Sequence, residues 1–446
     1  MNELFSAFKK INLAEWLIQI EKDLKGKPLD LLNSKPEPDL EVSAIHHADN
    51  TVSTPENDLS RNLYRKDNSW RIRQYFNESD PNDLNKIILS ALNDGVDAIG
   101  FSCDTPEDYL KITKDVLFEH IASDITITNP SAFVSTKFDP NTRLNFDILA
   151  NHAALGKNDF DFSDFISFYK THFNNATVFI NGSIYGEAGA STIQELAITI
   201  SHLNEYLHAL VSEGIDLETI NSKLTIQLAV NDNYFVNVAK FRVIRELVQL
   251  VFSAYDSAYK LKAFNLSGVT SLRHHARNDH HNNLLRATTQ AMSSIIGGAE
   301  LLTIQYLAVT EKKELEFQRR MSKNVQLILK EESHFAQVKD ASGGSYYIEN
   351  LTEQLLEKSW ILFQDIENKG GLIAELKANN IQAIIQTNKD ALIADLNSGK
   401  KTFLGINKYK NATEEWIATE PKEQAIKNTD FTPIELFRLE EYYKEN

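Results

Sequence analysis

A chain of 446 residues, 42% hydrophobic and 24% charged, can bury a sizeable core and suits one large barrel with additions. Its net charge of −16 argues against a general nucleic-acid binder, because phosphate binding needs clustered Lys and Arg. Cys103 is the single cysteine, which excludes an intrachain disulfide and fits a reducing cytoplasm. No run of about 18 apolar residues is free of charge, so no transmembrane helix is expected. The amphipathic opening has no apolar h-region or cleavage signal, so it is not read as a targeting peptide.

Taken in chain order, Trp16, Ile20 and Leu24 fall at helical spacing and predict a helix over residues 13–25. Its apolar face must dock on this chain's own barrel or on a partner subunit. A polar stretch rich in Pro, Asp and Asn then runs to about Asn68. From Trp70 onward, β-like runs at 97–103, 124–128, 177–181, 223–230 and 301–305 alternate with amphipathic helices. The helices are predicted over 106–121, 192–213, 237–261, 281–296 and 312–330. That alternation suggests a parallel sheet, and its length favours closure into a (β/α)8 barrel. Helices over 351–368 and 373–397 follow, then a polar tail with Pro421 and Pro433.

Three constellations invite chemistry. The stretch His274-His275-Ala276-Arg277-Asn278-Asp279-His280-His281 is rich in ligating side chains, but it lacks the i, i+4 spacing of a zinc helix. No metal is expected there; a hydrogen-bonded loop is. Ser342-Gly343-Gly344-Ser345 lacks the Lys of a P-loop, and Tyr346-Tyr347-Ile348 after it reads as extended, so a turn is expected. The turn Gly186-Glu187-Ala188-Gly189-Ala190-Ser191 opens a helix. Its backbone N–H groups could hold an anion, or its small residues could serve tight strand–helix packing. No nucleophile elbow and no usable Cys/His pairing occurs.

Several segments resemble the acyl-CoA mutase domain of the methylmalonyl-CoA mutase family. The longest runs from Arg320-Met321-Ser322-Lys323-Asn324 through Leu329-Lys330-Glu331-Glu332-Ser333. It continues with Asp340-Ala341-Ser342-Gly343-Gly344-Ser345-Tyr346-Tyr347 and reaches Trp360, Ile366-Glu367 and Gly370-Gly371. Further matches are Ile72-Arg73-Gln74-Tyr75, Glu187-Ala188-Gly189-Ala190, Ala239-Lys240-Phe241-Arg242 and Asn283-Leu284-Leu285-Arg286-Ala287-Thr288-Thr289. Glu15-Trp16 with Lys22-Asp23-Leu24-Lys25-Gly26-Lys27 is similar to the family's subunit-embracing N-terminal arm.

The resemblance implies a TIM-type (β/α)8 barrel over 69–400, with a subunit-contacting arm at 1–68 and a tail at 401–446. It also implies a radical rearrangement of an acyl-CoA through adenosylcobalamin, but the residues for it are eroded. Ile184 stands where the family's catalytic subunit has a histidine that donates to the substrate thioester. Gly186 stands where it has a glutamine, and neither replacement can take over the contact. The CoA-contacting segment keeps Arg73 and Tyr75 but begins with Asn68 in place of an arginine. Arg273 matches an arginine that meets CoA, and Glu300, replacing a glutamine, is expected to face the substrate with a like charge.

No stretch matches the family's cobalamin-binding, Rossmann-like domain. The nearest fragment to its cobalt-ligating motif is Asp279-His280-His281, with Leu284 where a glycine belongs. The expectation is therefore a small, non-catalytic subunit that binds no cofactor alone. It would form a heterodimer with a catalytic large subunit holding adenosylcobalamin, with no nucleic acid or membrane partner. Two alternatives stay open: a mutase of altered specificity receiving cobalamin from a separate protein, or an acyl-CoA-binding regulator in which Arg73, Tyr75 and Arg273 keep weak acyl-CoA affinity.

Overall fold

Strands that are apolar on one face and face a filled lumen on the other need helices outside and neighbours on both sides. Eight such strands pair all-parallel here: β1 (Arg71–Phe76), β2 (Ala98–Cys103), β3 (Ala122–Ile127), β4 (Leu144–Asn145), β5 (Val178–Asn181), β6 (Leu224–Val230), β7 (Asn265–Thr270) and β8 (Leu301–Thr303). β8 pairs with both β7 and β1, and a parallel bridge from Leu144 to Ala176 joins β4 to the start of β5. The result is a closed (β/α)8 barrel. The computed structural model describes residues 7, 11–47, 49, 67–306, 312–411, 413, 417 and 428–444. Residues 50–66 of the polar stretch and Pro421 lie outside them.

Side-chain alternation divides each strand between core and lumen. In β1, Ile72 and Phe76 are buried in apolar clusters, while Arg73 and Tyr75 line the lumen. In β2, Ile99, Phe101 and Cys103 enter the core. A Cβ on Gly100 would come within 2.6 Å of the Tyr75 ring, so the glycine makes room for that tyrosine. The covering helices start at side-chain caps. Asp80 caps Pro81–Asn93, Ser191 forms a capping box with Gln194 for Thr192–Ser212, and Asn233 caps Tyr234–Tyr255.

The five expected strands are present within about two residues of their expected bounds. β1, β4 and β7 were not anticipated as strands. β4 is too short for any periodicity, and β7 (Asn-Leu-Ser-Gly-Val-Thr) carries little apolar signal because it is held by pairing on both sides. The helix expected over 106–121 stops at Ile112, and Asp115 turns left-handed at φ 62°. The helix expected over 373–397 breaks into Leu372–Lys377 and Asn380–Asn397 at Asn379, φ 61°.

Tyr346-Tyr347-Ile348 is not extended. It opens the helix Tyr346–Asn368, because Leu351, Leu355 and Phe363 form a buried stripe against the barrel core. Within the expected polar stretch, Ser34–Glu37 and Leu40–Val42 form a hairpin whose Leu40 and Val42 are fully buried. The described part of the expected polar tail also packs down. Phe403, Ile406, Phe437 and Leu439 cluster with Ala276, and the Glu440 carboxylate accepts from the N–H groups of Arg277 and Asn278.

Helix Leu13–Asp23 forms as expected, with a capping box between Asn12 and Glu15, yet it buries no residue. Trp16 is 39% exposed and Ile18 67%. Its apolar face therefore has no full partner among the described residues. No described helix is long and apolar enough to cross a membrane.

Candidate functional site at the barrel mouth

The C-terminal ends of parallel barrel strands are where this architecture places its chemistry. A cavity of about 310 Å³ lies there, lined among others by Arg73, Tyr75, Asp124, Asp147, Asn181 and Gln227. Its floor is an arginine laid across the lumen. Arg73 Nε donates to Thr303 Oγ1 at 2.5 Å, Nη1 to Asp124 Oδ2 at 2.6 Å, and Nη2 to Gln227 Oε1 at 2.6 Å and Ser267 Oγ at 2.9 Å. One guidinium-bearing side chain on β1 thus ties together β8, β3, β6 and β7. Arg143 reaches the same carboxylate from below, 3.2 Å from Asp124 Oδ1, and donates to Thr225 Oγ1 at 2.7 Å.

Burial by itself would push the Asp124 carboxyl up. Arg143 and Arg73 outweigh it and hold the group below the usual carboxylate range. The other polar groups of the lumen are matched in the same way. Gln227 Nε2 donates to Asn181 Oδ1 at 3.1 Å and to Ser183 Oγ at 3.2 Å, and Tyr75 Oη lies 2.7 Å from Ser102 Oγ. On the far wall Asp147 accepts from Tyr206 Oη at 3.0 Å and sits 3.0 Å from His202 Nε2, itself fully buried.

Arg73 and Tyr75 of the expected set therefore share one cavity. Arg273 does not join them. It is buried behind the turn 186–191, where Nη1 donates to the carbonyls of Gly186 at 3.2 Å and Ala190 at 2.9 Å. Ile184 sits on the short helix Ser183–Glu187 and packs on the apolar cluster around Ala153, Tyr185 and Ile198, away from the cavity lining. The expectation for Glu300 is corrected outright. It precedes β8 at the opposite end of the barrel, accepting from Leu266 N at 3.0 Å and lying 3.7 Å from Arg245. A residue at the foot of a strand cannot face a ligand at its head.

The histidine-rich stretch is distributed rather than gathered. His274 Nε2 lies 3.2 Å from Asp232, which Lys401 also meets, and the His280 and His281 rings meet at a tilt with centroids 4.1 Å apart. The turn Ser342–Ser345 is pinned by Arg242, which donates to Ser342 Oγ at 3.1 Å and to Glu349 Oε1 at 2.8 Å and pairs with Asp340. Lys240 reaches Glu195 at 2.7 Å with both side chains fully buried. The most recognisable motifs are thus structural staples. What sequence reasoning missed is Asp124 and Arg143. The available signal was that an inward-facing Arg73 requires a buried carboxylate from another strand, and Asp124 occupies an inward position of β3.

Glu187 adds a pH-sensitive element to the turn. Burial pushes its carboxyl up to about 7, only partly offset by Ser271, Arg273 and the Leu272 N–H. An acid raised in the folded state stabilises the fold below its unfolded value and loses that contribution as pH rises through the folded one. Stability should therefore fall by roughly 3 kcal/mol on this account between its ordinary value of 4.5 and about 7. Urea unfolding of Glu187→Gln should lack that slope; an identical slope in the variant would assign it elsewhere.

Residues 158–444 match the family model described as methylmalonyl-CoA mutase. The chain belongs to the methylmalonyl-CoA mutase family. It is 28% identical over 443 residues to the methylmalonyl-CoA mutase small subunit of Porphyromonas gingivalis, covering 92% of this chain and 72% of that protein. It is 25% identical over 374 residues to the small subunit of Propionibacterium freudenreichii subsp. shermanii, covering 79% and 58%. Against the methylmalonyl-CoA mutase of Cereibacter sphaeroides it is 31% identical over 245 residues, 54% of this chain and 34% of that protein.

The fragment of this mutase-family barrel nearest to the family's cobalt-ligating motif is engaged within its own surroundings. Asp279-His280 lies in the turn before the helix Asn282–Gly297, with the His280 ring tilted against His281 and 3.7 Å from Glu314. The mouth cavity of about 310 Å³ is at the small end of ligand sites.

Proposed function

We propose that this chain is the non-catalytic small subunit of a heterodimeric, cytoplasmic methylmalonyl-CoA mutase, supporting a large subunit that carries adenosylcobalamin and the chemistry of methylmalonyl-CoA and succinyl-CoA interconversion. The observation that carries the reading is the bridged lumen. Arg73 is the one cation among the described residues lining the cavity, and each of its guanidinium nitrogens already donates, to Asp124, Thr303, Gln227 and Ser267. An acyl-CoA carboxylate would find the Arg73 guanidinium already engaged, and its long thioester arm a lumen crossed by that side chain. Ile184 supports the same conclusion, since it is apolar and packed away from the cavity. The exposed apolar face of Leu13–Asp23 supports the partnership, because an amphipathic helix contributes stability only when that face is covered.

The reading is tested by co-expressing the tagged chain with its large subunit and assaying the eluate for adenosylcobalamin-dependent mutase activity. A one-to-one active complex, with this chain inert alone, is expected. Turnover or acyl-CoA binding by the isolated chain would instead favour an independent mutase or a regulator. Trp16→Ala should weaken the complex by about 2 kcal/mol, roughly 30-fold in Kd, as for an interface anchor. An unchanged Kd would place the arm elsewhere.

A further inference from the structure

The hairpin Ser34–Glu37/Leu40–Val42 joins the arm helix to the barrel, so its seating decides where the arm leaves the surface. Leu40 and Val42 supply its apolar anchor in the main core. Its polar anchor is Glu37. Oε2 accepts from the Thr192 N–H at 2.7 Å and Oε1 from Thr192 Oγ1 at 2.7 Å, at the start of the 21-residue helix Thr192–Ser212. The capping box satisfies the N–H groups of Ser191 and Gln194, so Glu37 takes a donor that the box leaves over. Burial raises its carboxyl above the usual range, and the Thr192 hydrogen bonds, with Arg273 and Lys240 nearby, offset this only in part. The adjoining strand residue is also held by a helix start: Asn233, the cap of Tyr234–Tyr255, donates to the Pro36 carbonyl at 3.3 Å.

The helix start that follows the turn 186–191 thus holds an anion on Thr192, one residue beyond the turn, and the anion is the chain's own carboxylate. A carboxylate at a helix N-terminus gains from two charge-assisted hydrogen bonds and from the helix dipole. Because it is tethered, it outcompetes free anions by its high effective concentration.

We propose that Glu37 is a positioning residue, whose carboxylate fills the anion niche at the start of Thr192–Ser212 and thereby sets the direction in which the arm helix Leu13–Asp23 meets a partner subunit. This rests on the arm's role in the proposed heterodimer. Amide hydrogen exchange on the full chain tests it, comparing wild type with Glu37→Ala and the shape-preserving Glu37→Gln, and using acetate as the probe for the niche. In Glu37→Ala, exchange at residues 34–42 should accelerate roughly tenfold or more, with a smaller rise in Glu37→Gln and no change in β6 or β7. Acetate should raise the Tm of Glu37→Ala but not of wild type, and affinity for the large subunit should fall about tenfold. Unchanged exchange, or no response to acetate, overturns the niche. A loosened hairpin with undiminished affinity overturns the positioning role. A wild-type chain that binds no large subunit, beside a loosened and acetate-responsive variant, removes the heterodimer reading and with it the direction of the arm, while the niche stands.

Discussion

Asp124→Ala should lower the unfolding free energy by about 4 kcal/mol, the scale of breaking a buried ion pair from one side. The carboxylate is 3% exposed and serves two guanidinium groups, 2.6 Å from Arg73 and 3.2 Å from Arg143. Removing it leaves two like charges facing each other across the lumen, with Arg73 too buried to turn toward water. Adding Arg73→Met removes the stranded charge, so the double variant should be far less damaged than the sum of the singles. Arg143, about a quarter exposed, can reorient. The pH dependence has the opposite sign to that of Glu187. A carboxyl held below its usual range stabilises the fold above its unfolded value, about pH 4, and that contribution is lost as pH falls through the lower folded value. Urea midpoints at pH 7 and on acidification measure both effects. A wild-type midpoint for Asp124→Ala would mean that the lumen is not held by this pair.

Restoring the apparent catalytic residues should fail, and for a steric reason. Gly186→Gln, the change that rebuilds the missing glutamine, introduces a Cβ 2.7 Å from Ala229 Cβ and 2.8 Å from the Glu195 carboxylate. Glu195 cannot yield cheaply, because it is fully buried, pairs with Lys240 and accepts the Ala229 N–H at 2.7 Å. Overpacking of this kind costs about 3 kcal/mol or more. Ile184→His together with Gly186→Gln should therefore destabilise the chain and give no mutase activity with a cobalamin-bearing partner. Thermal unfolding and the mutase assay read the two parts separately. A stable, active double variant would show that the bridged lumen does not block chemistry, and the non-catalytic reading would fall.

The legible parts of the site share a physical property. Arg73 and Tyr75 stand next to one another in the alternation of β1, so a single short motif places both at the mouth. Their partners come from strands tens to hundreds of residues away: Asp124, Gln227, Ser267 and Thr303. Nothing local marks those four as a set. Arg273 and Glu300 show the reverse failure. A matched position in a motif tells which residue type is present, but not whether the lumen or the far end of a strand receives it.

The sequence by itself determined the class of fold, because alternation of period two and amphipathic helical spacing are local and repeat along the chain. It determined as well that Ile184 cannot donate a hydrogen bond, since that is a property of the side chain alone. Only the tertiary structure decided that the barrel closes through the short β4, that the tail after residue 400 packs inward, and that Glu37 reaches the start of Thr192–Ser212. Only it decided that the lumen is bridged by Arg73 and Asp124. Each of these depends on groups distant in the chain meeting in a low-dielectric interior, where a charge or an N–H must find its partner and local pattern carries no record of which one.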